Sequence, residues 1–102
     1  MLVQVLTVPD CPGGPVVEER LAAVLAGRTD VTLQRRVVDT AAQAEQWGMH
    51  GSPTVLVDGH DPFAAPGAPA SLSCRLYRGA DGRAQGAPSA RQLRRVLGGP
   101  PD

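Results

Sequence analysis

The 102-residue sequence contains no lysine, no asparagine and no isoleucine, and all ten of its basic residues are arginine. The three missing residues use AT-rich codons, so their joint absence points to a GC-rich genome rather than to a mechanism. Without lysine there is no Schiff-base chemistry and no phosphate loop of the kind whose signature requires Lys. Net charge is missing as well: ten Lys plus Arg balance ten Asp plus Glu. Nucleic-acid binders carry a basic excess, and adhesion to anionic membranes needs basic clusters, so neither partner is expected. No segment approaches the ~20 apolar residues that span a bilayer. The apolar start, Met1 to Val8, lacks a basic flank and a small-residue cleavage site, and is not read as a signal peptide. A cytoplasmic, monomeric protein is the expectation. Cysteine is sparse, with only Cys11 and Cys74. In the cytoplasm such residues are more often catalytic or metal-binding than joined in a structural disulfide.

What is present fits one small globular domain. The apolar fraction is 42%, too high for a disordered chain. The domain is read over residues 1–98, with 99–102 as a frayed tail. Leu2 to Val8 is apolar without polar alternation, which suits a strand covered on both faces. Val17, Leu21, Val24 and Leu25 place an amphipathic helix over Val16 to Ala26. Val31 to Val38 reads as a second strand. Thr40 with Gln43 forms a capping box for a helix through Trp47 that stops at Gly48. Pro53 to Asp58 reads as a third strand, and Gly59 to Ala70 as a long loop that acts as a lid or a plain surface insertion. Leu72 to Arg78 alternates Leu72, Cys74 and Leu76 against Ser73, Arg75 and Tyr77, and reads as a fourth strand. Ser89 with Gln92 caps a last helix that Gly98 ends. The order β-α-β-α-β-β-α predicts an α/β fold with three helices on a four-stranded mixed sheet, its last two strands forming a hairpin.

Cys11 stands where a buried strand gives way to a helix. Unpaired N–H groups and the macrodipole at a helix start stabilise an anion, and the thiolate is the nucleophilic form of cysteine. Pro12 suits a first helical turn because it lacks an N–H. A polar, turn-rich setting marks Cys11 as accessible rather than a core residue. The neighbouring Asp10 works against the thiolate.

Cys11-Pro12-Gly13-Gly14 opening a helix, together with Gly51-Ser52-Pro53-Thr54 before an apolar strand, resembles the thioredoxin-like superfamily. The resemblance covers nearly the whole chain. It is similar in style to small thioredoxin-like proteins of actinobacteria, some labelled mercury lyases, through Ser71 to Tyr77 as well. It implies that Cys11 is the attacking thiolate and that Pro53 is a cis-proline beside it. It also implies that the backbone of Ser52, with Thr54, pairs with an extended peptide or a thiol. The site departs from the family in three ways. Gly14 stands where the resolving cysteine belongs, Val5 stands where the first strand carries an acid, and Asp10 replaces an aromatic. A local dithiol cycle is therefore absent, and the pattern is that of a monothiol site.

Cys74 is expected in the core, in phase with Leu72 and Leu76. In an antiparallel hairpin it would lie about 13 Å along the sheet from the Cys11 end, too far to pair directly. His50 is an auxiliary candidate as activator of the thiol, with an exposed loop histidine as the simpler reading. Cys11, Cys74, His50 and His60 lack zinc-site spacing, so no resident metal or cofactor is expected beyond a low-molecular-weight thiol such as mycothiol. Three functions follow. The first is monothiol disulfide exchange on a protein disulfide or small thiol substrate. The others are thiolate binding of a soft metal such as mercury or copper, and a non-catalytic peptide-binding module.

Overall fold

A computed structural model describes residues 1–79 and 81–98; the tail at 99–102 lies outside them. The chain is α/β, with three helices around a mixed three-stranded sheet and two small two-stranded sheets. Strand β1 (Leu2–Thr7) is central. It pairs in parallel with β2 (Thr32–Val37) and antiparallel with β4 (Thr54–Val57), giving the order β2-β1-β4.

The two-sided burial expected of the first strand has a plain cause. Val3 and Val5 pack into one core with Val17, Leu21 and Val24 of α1 (Gly13–Val24) and Leu93 and Leu97 of α3 (Ala90–Leu97). Leu6 packs into a second core with Val38, Met49, Leu56 and Ala44 of α2 (Ala41–Trp47). Helices therefore cover both faces of β1, and its one glutamine, Gln4, stays half-buried and meets Gln34 of β2 at 3.4 Å. β2 is the exposed edge. Its arginines discourage pairing with another chain, and Arg35 reaches Glu18 of α1 at 2.8 Å.

The helix boundaries follow local chemistry. Thr40 accepts from the Gln43 N–H and Gly48 closes α2 at φ 73°. Ser89 and Gln92 cap each other's backbone and Gly98 closes α3 at φ 64°. The first helix starts at Gly13, ahead of the Val16 that periodicity suggests. Gly13 and Gly14 carry no side chain to register in a hydrophobic pattern, yet both are buried. Gly13 packs so closely that a Cβ there would sit 2.3 Å from the Gly86 carbonyl oxygen and 3.0 Å from Pro53 Cδ. Backbone cannot yield as a side chain does, so Gly13→Ala is expected to destabilise the domain by about 1–3 kcal/mol in urea unfolding. A change within a few tenths of a kcal/mol would show that α1 and the Gly86 turn are free to separate.

The second half of the chain differs from the sequence expectation. The predicted third strand forms as β4, and a short strand that was not expected, β3 (His50–Ser52), precedes it in a different sheet, the two separated at Pro53, whose bond to Ser52 is cis. The expected hairpin of the last two sheet strands does not form. β5 (Ser71–Cys74) instead runs parallel to β3, with His50 opposite Ser71 and Ser52 opposite Cys74. β6 (Tyr77–Arg78) and β7 (Ala84–Gln85) make a separate short hairpin. The predicted fourth strand thus breaks after Cys74; Leu72 packs inward as expected, and from Cys74 onward the inward phase is reversed. Tyr77 is buried, while Cys74 is exposed and Leu76 is 68% exposed. The reversal follows from the partners available: Arg75 and Tyr77 find buried polar partners, and Leu76 gives up its place in the core to that larger ring.

Candidate functional site

Cys11 lies in the turn between β1 and α1 and is half-buried. Its N–H donates to the Val8 carbonyl at 3.3 Å, and its own carbonyl accepts from the Gly14 N–H at 3.2 Å. Asp10, just before it, adopts φ 59°, a left-handed conformation that Asp tolerates better than most residues. Pro12 is the N-cap of α1 and no side chain caps that end. Cys11 therefore stands at the head of a helix, immediately before its N-cap.

Pro53 is brought beside it by α1. The close packing of Gly13 on Pro53 ties the two loops together. Ser52 is fixed from both sides: its hydroxyl accepts from the Val8 N–H at 3.0 Å, and its carbonyl accepts from the Arg75 N–H at 3.0 Å. The strand edge that the family resemblance assigns to a bound peptide is thus taken, at the Ser52 carbonyl, by this chain's own segment. Thr54 is buried, donates to the Gly51 carbonyl and accepts from the His50 N–H at 3.1 Å. These bonds hold the turn that leads into Pro53.

Cys11, Pro12, Gly13 and Ser52 line one cavity of about 210 Å3, and its opposite wall holds Cys74, Arg75, Leu76 and Gly86. The expectation that Cys74 lies in the core, remote from Cys11, is therefore wrong. Parallel pairing of β5 with β3 carries it to the Pro53 end instead of away from it. His50 is not part of this cavity. Its Nδ1 lies 3.1 Å from the Pro69 carbonyl, and the ring lines a different hollow with His60 and Ala68. Among the described residues no group of three or more His, Cys, Asp or Glu is placed to hold a metal, and no helix is long and apolar enough to cross a membrane.

The support behind the site went unnoticed in the sequence. Asp61, from the long 59–70 loop, is buried and pairs with Arg75 at 2.6 Å. The Arg75 guanidinium also lies 4.6 Å from the centre of the Tyr77 ring, which Phe63 meets edge-on at 5.5 Å. Tyr77 in turn donates its hydroxyl to the Pro53 carbonyl. The start of the loop is thus fastened, through Asp61 and Phe63, to the Arg75–Tyr77 segment. The available signal was Asp61-Pro62-Phe63, a lone charge beside an aromatic in a loop otherwise made of small residues.

Burial pushes the Tyr77 phenol above its ordinary range; Arg75 opposes this, while Asp61 and the Cys11 charge add to it. The neutral phenol is therefore the folded form. Its stabilising contribution is complete below the unfolded-state value of about 10 and is lost as the pH rises toward the higher folded value. Tyr77→Phe is expected to cost about 1–3 kcal/mol at neutral pH, because the Pro53 carbonyl loses a buried partner. It should also remove the alkaline fall in stability above about pH 10. With one tyrosine and no lysine in the chain, that limb is readable by phenolate absorbance and urea unfolding. An unchanged alkaline limb in the variant would contradict the assignment.

Comparison with known proteins finds no matching family model, no similar curated protein and no similar solved structure.

Proposed function

We propose that this chain is a thioredoxin-like thiol–disulfide exchange protein in which Cys11 is the attacking thiolate. The observation that carries this reading is the placement of Cys11: at the head of α1, half-buried, and sharing a small cavity with Ser52, the residue before the cis-Pro53. Strand order supports the fold assignment. The parallel β1–β2 crossover, the antiparallel β4 and helices on both faces are shared with thioredoxin-like domains, and the difference lies in the fourth strand.

The filled edge at Ser52 narrows the substrate. An extended peptide would compete with the Arg75 N–H for the Ser52 carbonyl, so a small disulfide or mixed disulfide fits better than a protein strand. The same bond weakens the non-catalytic peptide-binding alternative. In the reaction the Cys11 thiolate attacks one sulfur of the disulfide and expels the other as a thiolate. An outside low-molecular-weight thiol, present in a reducing compartment such as the cytoplasm, returns the protein to its starting state.

The test is turnover. Catalytic amounts of the chain should accelerate reduction of a small mixed disulfide by excess thiol, with a rate linear in protein. A rate no higher than that of an equal concentration of free cysteine would end the enzymatic reading. One observation favours a second reading: two thiols on one cavity are a sufficient donor set for a soft two-coordinate cation such as Hg(II) or Cu(I). Stoichiometric binding lost in both single Cys→Ser variants, without turnover, would establish it instead.

A further inference from the structure

The monothiol scheme leaves one nucleophile unused. Cys74 ends β5, is exposed, and is a free thiol in the structure, as is Cys11. We propose that Cys74 is the resolving thiol for Cys11, closing an intramolecular Cys11–Cys74 disulfide; this rests on the reading of Cys11 as the attacking thiolate.

Three independent observations converge on the pair. Both cysteines line the same cavity of about 210 Å3, one from the turn before α1 and the other from the end of β5. The Ser52–Cys74 register and the Arg75 N–H bond to the Ser52 carbonyl at 3.0 Å fix Cys74 next to the Ser52–Pro53 segment. From the other side, Gly13 packs on Pro53, which brings the head of α1 to the same point. The same lining includes Gly13 and Gly86, which add no side chains to the cavity. A resolving thiol in this fold need not come from the helix when a strand can deliver one across the cavity.

The steps balance. The Cys11 thiolate attacks R–S–S–R′, forming Cys11–S–S–R and releasing R′–S⁻, which takes a proton from solvent. The Cys74 thiolate then attacks the Cys11 sulfur, forming the Cys11–Cys74 bond and releasing R–S⁻. The substrate disulfide gains two electrons and the protein dithiol loses them. Two equivalents of a low-molecular-weight thiol restore the dithiol and leave as their own disulfide. The bridge requires the two Cα atoms within about 7 Å, a demand that a shared cavity wall makes local.

Fully reduced wild type, Cys74→Ser and Cys11→Ser are treated with a small excess of glutathione disulfide, quenched with acid at intervals, and read by intact mass and peptide mapping. The wild type is expected to lose the mass of two hydrogens, with Cys11 and Cys74 peptides joined within one monomer. Cys74→Ser should hold a glutathione adduct on Cys11 at least about tenfold longer, because an intramolecular thiol acts at high effective concentration. Cys11→Ser should form neither species. An adduct on Cys11 that lives equally long in the wild type and in Cys74→Ser would overturn the role of Cys74 and leave the Cys11 reading intact. Cross-linking only between monomers would do the same. No reaction at Cys11 in either protein would overturn both.

Discussion

Replacing Cys11 by serine is expected to reduce disulfide exchange to the uncatalysed background while leaving the fold in place. The reaction needs a sulfur anion, and a serine hydroxyl without an activating base is not a substitute. Structural damage should be slight. Cys11 is held in its turn by backbone bonds to Val8 and Gly14, which serine can make equally well. Circular dichroism and urea unfolding of the variant should therefore superimpose on the wild type to within about 0.5 kcal/mol, the range of substitutions outside a packed core. Retained exchange in Cys11→Ser would make Cys74 the primary nucleophile.

The largest effect on stability is expected at Asp61, a residue that takes no part in the chemistry. Its carboxylate side chain is 3% exposed and faces the Arg75 guanidinium, itself 11% exposed, through contacts of 2.6 and 3.4 Å. The same carboxylate accepts from the Phe63 N–H at 2.9 Å. Removing one partner of such a pair strands a buried charge, so Asp61→Ala should lower stability by about 3–5 kcal/mol. That is a large share of the total for a domain of this size, commonly about 5–15 kcal/mol. The damage should spread to the site, because Arg75 also holds the Ser52 carbonyl and follows Cys74 in the chain. Asp61→Asn keeps the acceptor for Phe63 and should fall between. A loss below about 1 kcal/mol for Asp61→Ala would mean that the pair behaves as a solvent-screened surface bridge.

The first half of the chain was legible because its signals are local. Apolar continuity in Leu2–Thr7, the Thr40 cap and the closing Gly48 each act within a few residues, and the structure places elements where they point; the Ser89 cap and Gly98 do the same for the last helix. Cys11 was legible for the same reason, as a thiol between a strand and a helix. The second half was not, because its outcome turns on pairing between distant segments. Alternation in 72–78 cannot say which face is inward, and a shift of one residue exchanges Leu76 for Tyr77. The deciding partners, Asp61 for Arg75 and the Pro53 carbonyl for Tyr77, lie well away along the chain. Nor does short-range patterning reveal that β5 runs parallel to β3 instead of folding back in a hairpin. The misplacement of Cys74 followed directly from that strand direction.

The central claim is that the fold, not merely the presence of a thiol, makes Cys11 reactive. The most direct measurement is the rate at which Cys11 reacts with a small disulfide at neutral pH, resolved by peptide mass spectrometry, in the native chain and in the same chain unfolded by urea. The account predicts a faster reaction in the native protein, even though folding half-buries the residue. A native rate equal to or below the unfolded rate would show that the helix head and the cavity shared with Ser52 do not activate the thiol, and would contradict the account.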